Sequence, residues 1–281
     1  MEHDDAKFLL NFTPTGLVPS KEQTAWVPVS PDEIIREVRE VARLGANMVH
    51  LHARDPQTGE PTCRPEVFRE ILCGIRAEHR DLVLVVSTSG RNFPDFAQRS
   101  ACLELTGDAR PDMGSLTLSS LNFNTEASLN APEMIQRLAA KMLDNGIRPE
   151  LEVFDLGMIN YATYLARKGL IKPPHYFNLI LGNIAGAQAG LLSLGLLVNE
   201  LPHGSHWSAG GIGGSQLRAN TMALVAGGGV RVGLEDNIYF DRRRTRLASN
   251  RELVERVLVI AEALGRQPYS HRETRTVLGL S

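Results

Sequence analysis

The sequence predicts a (β/α)₈ TIM barrel, one domain spanning residues 1–281. Three observations lead there. Eight short apolar runs of strand type alternate with eight helical stretches; no linker or composition break divides the chain; and polar, chemistry-bearing residues gather where the apolar runs end. A doubly wound open sheet is the competing arrangement for the same alternation.

The elements follow in order. Phe8 to Phe12 is the first strand, and Thr13 to Ser20 begins a long loop that extends to Pro31. Ser30-Pro31-Asp32-Glu33 combines an N-cap serine with proline at the first helical position, so a helix starts here and ends near Gly45. Asn47 to His52 is the second strand, Pro65 to His79 the second helix, and Leu82 to Val86 the third strand. A helix near Asp95 to Thr106 precedes the fourth strand, Met113 to Leu118. Asn130-Ala131-Pro132-Glu133 caps a helix reaching Asn145-Gly146, and Glu150 to Asp155 is the fifth strand. A helix to Gly169 leads to the sixth strand, Tyr176 to Leu181; a helix at Ala187 to Asn199 leads to the seventh, Trp207 to Ile212. Ser215 to Ala226 is helical, Val230 to Leu234 is the eighth strand, and Asn250 to Leu264 closes the count. In a barrel, the loops Pro14 to Pro31 and Leu121 to Asn130 lie on the catalytic face.

Composition narrows the class of function. Among 281 residues, 43% are hydrophobic, and 30 basic against 32 acidic side chains leave a net charge of −2. Such a balance gives no electrostatic reason to expect nucleic acid or an anionic membrane as partner. No apolar run approaches the roughly 20 residues that span a bilayer. The acidic start Met1-Glu2-His3-Asp4-Asp5 is unlike a signal peptide, and three cysteines without C-x-x-C spacing suggest neither a disulfide framework nor a thiolate zinc site. The expected compartment is the cytoplasm, and the expected partners are small molecules.

His50 and His52 carry the strongest chemical signal. At i and i+2 on a strand they share a face, so both can reach one metal ion. Glu235, ending the eighth strand as the histidines end the second, is the best third ligand for a catalytic Zn²⁺ that keeps one position open. Glu152, Asp155 and His206 compete for that place, and two polar residues merely capping a strand are the plain alternative. Arg231, set among Val, Gly and Leu neighbours, needs a carboxylate or a substrate to justify its burial. Asp236 is its candidate partner, either as a structural ion pair or as a proton-handling dyad. Glu152 alternates with Leu151 and Val153 and so points into the barrel as base, ligand or anchor.

Ser87-Thr88 and Ser120-Leu121-Asn122 put small donors at the ends of strands three and four, suited to a substrate carboxylate or carbonyl or to simple backbone capping. Gly210-Gly211-Ile212-Gly213-Gly214-Ser215 precedes a helix, where Gly211, Gly213 and Gly214 would let backbone N–H groups approach a phosphate. The spacing matches neither the P-loop nor the dinucleotide fingerprint. Arg218 is a candidate phosphate contact, whereas Arg242, Arg243 and Arg244 read as a solvated face.

Taken together, these motifs resemble the β-keto acid cleavage enzymes. The matching features are Thr15-Gly16, His50-Leu51-His52 with Arg54-Asp55-Pro56, Ser87-Thr88, Ser120-Leu121-Asn122-Phe123, Glu150-Leu151-Glu152-Val153 and Arg231 to Ile238. Their order and spacing hold from about residue 8 to residue 265. The resemblance implies a zinc-dependent barrel that condenses a β-keto acid with acetyl-CoA, giving acetoacetate and a new acyl-CoA by Claisen and retro-Claisen steps. It implies His50, His52 and Glu235 as zinc ligands, Arg231 with Asp236 as the dyad assisting deprotonation beside the ketone, and Ser87 as a substrate-orienting hydroxyl. It also implies a homo-oligomer. The alternatives are another metal-dependent barrel hydrolase, aldolase or lyase on a small keto acid, or a metal-binding protein without turnover.

One departure from the family bears on substrate. The relative that takes an amino substrate is similar except for a glutamate two residues after the Thr-Gly, where this chain has Val18 following Leu17. An apolar residue cannot pair with an ammonium, so the side chain beyond the ketone is expected to be apolar or neutral. An anionic one stays open if Lys21 or Arg91 reaches the pocket. Ser89 also stands where the family often has glycine.

Overall fold

The computed structural model describes residues 6–280, so the acidic start Met1 to Asp5 lies outside the described residues. Eight parallel strands close into a barrel in sequential order. They are β1 (Leu10–Phe12), β2 (Met48–Leu51), β3 (Val83–Val86), β4 (Met113–Thr117), β5 (Arg148–Val153), β6 (Tyr176–Leu181), β7 (His206–Gly211) and β8 (Gly229–Val232). The open sheet is thereby excluded, and β1 stands between β8 and β2.

The surrounding helices are α1 (Pro31–Leu44), α2 (Pro65–Arg76), α3 (Phe96–Ser100), α4 (Pro132–Asp144), α5 (Leu156–Arg167), α6 (Leu191–Glu200), α7 (Gln216–Val225) and α8 (Asn250–Ala263). Helix α1 starts as expected: the Ser30 hydroxyl accepts from the Glu33 N–H while the Glu33 carboxylate accepts from the Ser30 N–H. Helix α4 does not start with an Asn130 side-chain cap. Ala131 holds the cap position, and the Asn130 side chain bonds Ser119 and Arg99 instead. Among the described residues no helix is long and apolar enough to cross a membrane.

Two differences from the expected elements shape the site. Strand β8 stops at Val232 because Gly233 turns the chain against Thr13, so Glu235 and Asp236 sit on a turn rather than a strand. The loop after β4 carries a small antiparallel pair, Leu121–Asn122 with Ala127–Ser128.

A ninth helix, α9 (His271–Val277), was not anticipated. Just beyond it, Leu278 packs with Leu9, Met48, Val83, Val85, Met113 and Tyr176, the apolar layer at the N-terminal end of the barrel. A parallel pairing of Lys7–Phe8 with Gln267–Pro268 holds this closing segment in place. The polar interior thus has an apolar floor. Leu278→Ala should destabilise the fold by about 2–4 kcal/mol, the usual cost of a buried leucine cavity. Denaturant unfolding measures this; an unchanged midpoint would show that the segment does not seal the barrel.

Candidate active site

Above the apolar floor, the barrel interior turns polar. Asn11 on β1, His50 on β2, Glu150 on β5, Asn178 on β6 and Arg231 on β8 are all buried, in a layer that barrels usually fill with branched aliphatics. Glu150 is the hub. Its Oε2 lies 2.5 Å from His50 Nδ1, and its Oε1 accepts from Asn11 Nδ2 at 2.6 Å and Asn178 Nδ2 at 3.1 Å. With Nδ1 donating to Glu150, His50 turns Nε2 upward as an acceptor.

That nitrogen lies 3.2 Å from His52 Nε2. Glu235 Oε1 is 3.3 Å from His52 Nε2 and 3.9 Å from His50 Nε2. Zinc bonds of roughly 2.0–2.1 Å in a tetrahedron put neighbouring ligand atoms about 3.3–3.4 Å apart. The three donors therefore fit one such ion, with a fourth position to spare, and Glu235 Oε2 is buried without a hydrogen-bond partner. His50, Glu150 and Glu152 also lie close enough to group, but the Glu150 oxygens are already committed to hydrogen bonds.

Electrostatics couples the same groups, and a proton on His50 competes with a metal ion for Nε2. Burial lowers the affinity of the His50 ring for a proton, yet the Glu150 and Glu235 carboxylates outweigh it and push the pKa up to about 9. Burial would raise the Glu235 carboxyl, but Arg231 and the two histidines hold it well below the usual range. Burial raises Glu152. Arg231 binds Asp236 through Nε at 2.8 Å and Nη2 at 3.0 Å, while Nη2 also donates to Glu235 Oε1 at 2.7 Å. Its Nη1 has no hydrogen-bond partner and stands 4.0 Å from Glu152 Oε1. Two glycines make room for this arrangement. A Cβ on Gly16 would meet Glu235 Cγ at 2.5 Å, and one on Gly210 would press on the Arg231 side chain at 2.9 Å.

A cavity of about 460 Å³ opens over these groups. His52, Glu152, Arg231, Glu235 and Asp236 line it, with Ser87 and Val18 among the expected substrate contacts. Thr88, Ser120 and Asn122 do not. The Thr88 hydroxyl donates to the Ser115 carbonyl, Ser120 Oγ accepts from the Asn130 N–H, and the Asn122 carbonyl accepts from Asn183. Of the competing ligands, Asp155 caps α5 and His206 opens β7 at the opposite end of the barrel. Lys21 pairs with Glu33 outside the cavity, whereas Arg91 lines it.

Gly213 and Gly214 line a second cavity of about 480 Å³ with Arg218, Arg242 and Arg244. The two cavities share Gly213, Asn237, Tyr239 and Arg244. Gly211 faces neither, being packed on the Ser215 backbone. The arginines at 242 and 244, expected as a solvated face, are exposed yet edge this cavity. Sequence reasoning passed over Glu150 in favour of Glu152, although the two share a strand face, and it gave no role to Asn11 or Asn178. Asparagines inside apolar strands were the available signal.

A sequence profile of the beta-keto acid cleavage enzymes matches residues 7–280. The chain belongs to the β-keto acid cleavage enzyme family. It is 35% identical over 275 residues to the 3-keto-5-aminohexanoate cleavage enzyme of Fusobacterium nucleatum, with 98% of each chain covered. It is 33% identical over 270 residues to the 3-oxoadipate:acetyl-CoA acetyltransferase of Cupriavidus necator, covering 95% of this chain and 92% of that one. Among solved structures, ObcA bound to oxaloacetate superposes with a TM-score of 0.77 at 22% identity, covering 91% of this chain and 68% of that chain; this likeness concerns the fold. In this β-keto acid cleavage enzyme family member, then, the mouth of the barrel carries both the three-donor set and the Arg231–Asp236 pair.

Because Glu150 orients His50, its replacement should loosen the donor set without emptying it. Glu150→Gln is expected to weaken the hold of these donors on added Zn²⁺ by about 10- to 100-fold, the usual effect of removing a carboxylate behind a metal-binding histidine. Titration against a competing chelator reads this, with circular dichroism confirming the fold.

Proposed function

We propose that the chain is a zinc-dependent enzyme that condenses a β-keto acid with acetyl-CoA and releases acetoacetate and a new acyl-CoA. The observation that carries this reading is the meeting of the His50, His52 and Glu235 donors with the buried Arg231–Asp236 pair over one cavity. Zinc held by His50, His52 and Glu235 would acidify the C–H bond between ketone and carboxylate by withdrawing charge from their oxygens.

The chain's own residues handle the proton and the pose. Asp236 accepts or relays the proton from that carbon, with Arg231 keeping its carboxylate aimed and charged. Glu152, pushed up by burial, is the second carboxyl within reach of Arg231 Nη1 and a reserve for protons. Ser87 offers its hydroxyl to the substrate from the end of β3. The carbanion attacks the acetyl thioester and expels the CoA thiolate. That thiolate then adds to the original ketone carbon, and the C–C bond beside it breaks, with the electron pair leaving on acetoacetate. The bonds balance without any oxidant. We assign the CoA arm to the second cavity, where Gly214 offers backbone and the arginines positive charge toward phosphate, the Gly213 N–H being donated to the Asp236 carbonyl. Leu17 and Val18 on the rim of the first cavity offer no carboxylate to an ammonium.

Loss of keto acid that requires acetyl-CoA is the deciding assay, since a hydrolase or aldolase needs no thioester. Two variants separate the roles. His50→Ala should lose zinc and turnover together, while Asp236→Asn should keep zinc and lose about 10²- to 10⁴-fold in kcat, the usual contribution of a general base. Substantial kcat in Asp236→Asn would reduce the pair to a structural ion pair.

A further inference from the structure

Arg91 follows β3 in the loop that carries Ser87, and it lines the cavity above the three-donor set. Its side chain is only 13% exposed. Other buried arginines spend most of their donors on protein oxygens: Arg54 on three carbonyls, and Arg231, Nη1 apart, on Asp236 and Glu235. Arg91 spends none. Among the described residues its Nε is buried without a hydrogen-bond partner, and an ion pair to the exposed Glu126 is 3.5 Å long. The guanidinium carbon lies 3.6 Å from the centre of the Phe123 ring, and both residues line the cavity.

A planar guanidinium held against an aromatic ring with unused donors is complementary to a carboxylate, and a carboxylate is what would satisfy it. On the reading given under Proposed function, we infer that Arg91 binds a second carboxylate of the substrate, at the end of the chain beyond the ketone. The preferred substrates are then β-keto dicarboxylic acids. The neutral side chain expected from Leu17 and Val18 gives way to an anionic one, because the apolar rim excludes a cation while Arg91 rewards an anion. The relatives do not decide this by identity alone: one is named for an amino-bearing keto acid and the other for a dicarboxylic one, at 35% and 33%. The Glu126 pairing is a placeholder that an entering carboxylate replaces.

The test compares 3-oxoadipate with 3-oxohexanoate, which share a chain length and differ in the terminal carboxylate. With acetyl-CoA, the unmodified enzyme should favour 3-oxoadipate in kcat/KM. Arg91→Met should lower that ratio by about 10- to 100-fold, the worth of a hydrogen-bonded charge pair, and Arg91→Lys should restore part of it. Glu126→Gln should keep the preference. A preference for the neutral acid, or a ratio unchanged in Arg91→Met, overturns the inference and leaves the acetyl-CoA reaction standing. Calorimetric titration of the zinc-loaded protein with adipate and hexanoate separates the two questions. Tighter binding of adipate that Arg91→Met abolishes supports Arg91 even if neither keto acid turns over, whereas equal binding of the two acids counts against it.

Discussion

The guanidinium of Arg231 is the charge on which the mouth of this barrel depends. Glu150, Glu152, Glu235 and Asp236 are gathered inside or at the rim of one closed sheet, and burial of so many carboxylates is costly unless positive charge is placed among them. Arg231 answers two of them directly and reaches toward a third. Its own proton is held well above the ordinary range, since Asp236 and Glu235 outweigh its burial. The remaining negative charge faces His50 and His52. A surplus of carboxylate and imidazole of this kind could hold a cation.

The polar layer is possible because other parts of the chain insulate it. Below, Leu278 and the apolar layer of Met48, Val83, Val85 and Met113 shut water out of the barrel floor. Without that seal, Glu150 and its asparagines would trade their short hydrogen bonds for solvent, and His50 would lose its orientation. Around the rim, Gly16 and Gly210 remove the side-chain volume that would push Glu235 and Arg231 out of place. Stability and chemistry are thus divided by depth: apolar packing at one end, committed charges at the other.

Two adjoining cavities of different lining open at the mouth of the barrel. One is lined by Ser87, Arg91 and the Arg231–Asp236 pair, while the second is edged by glycines and exposed arginine side chains. Tyr239 and Arg244 stand where the two meet.

Much was legible in the residues alone. Strand alternation placed His50 and His52 on one face, apolar runs and caps located all eight strands within a few residues, and the helix after Ser30 began where its capping pattern put it. Periodicity decides such features, because it depends on neighbours one to four residues apart. Depth in the barrel does not. Glu150 and Glu152 share a face on β5, and only the pairing of that strand with β4 and β6 sets Glu150 beneath His50 and Glu152 a layer higher, beside Thr117. The loops were equally opaque: nothing local distinguishes Thr88, turned to the Ser115 backbone, from Ser87, turned to the cavity. Nor does any spacing say that Arg91 would lie against Phe123, some thirty positions away. The sequence determined which elements form and which of their ends carry chemistry. Closure of the barrel decided which of those groups meet, because their distances are set by strand stagger and loop packing rather than by separation along the chain.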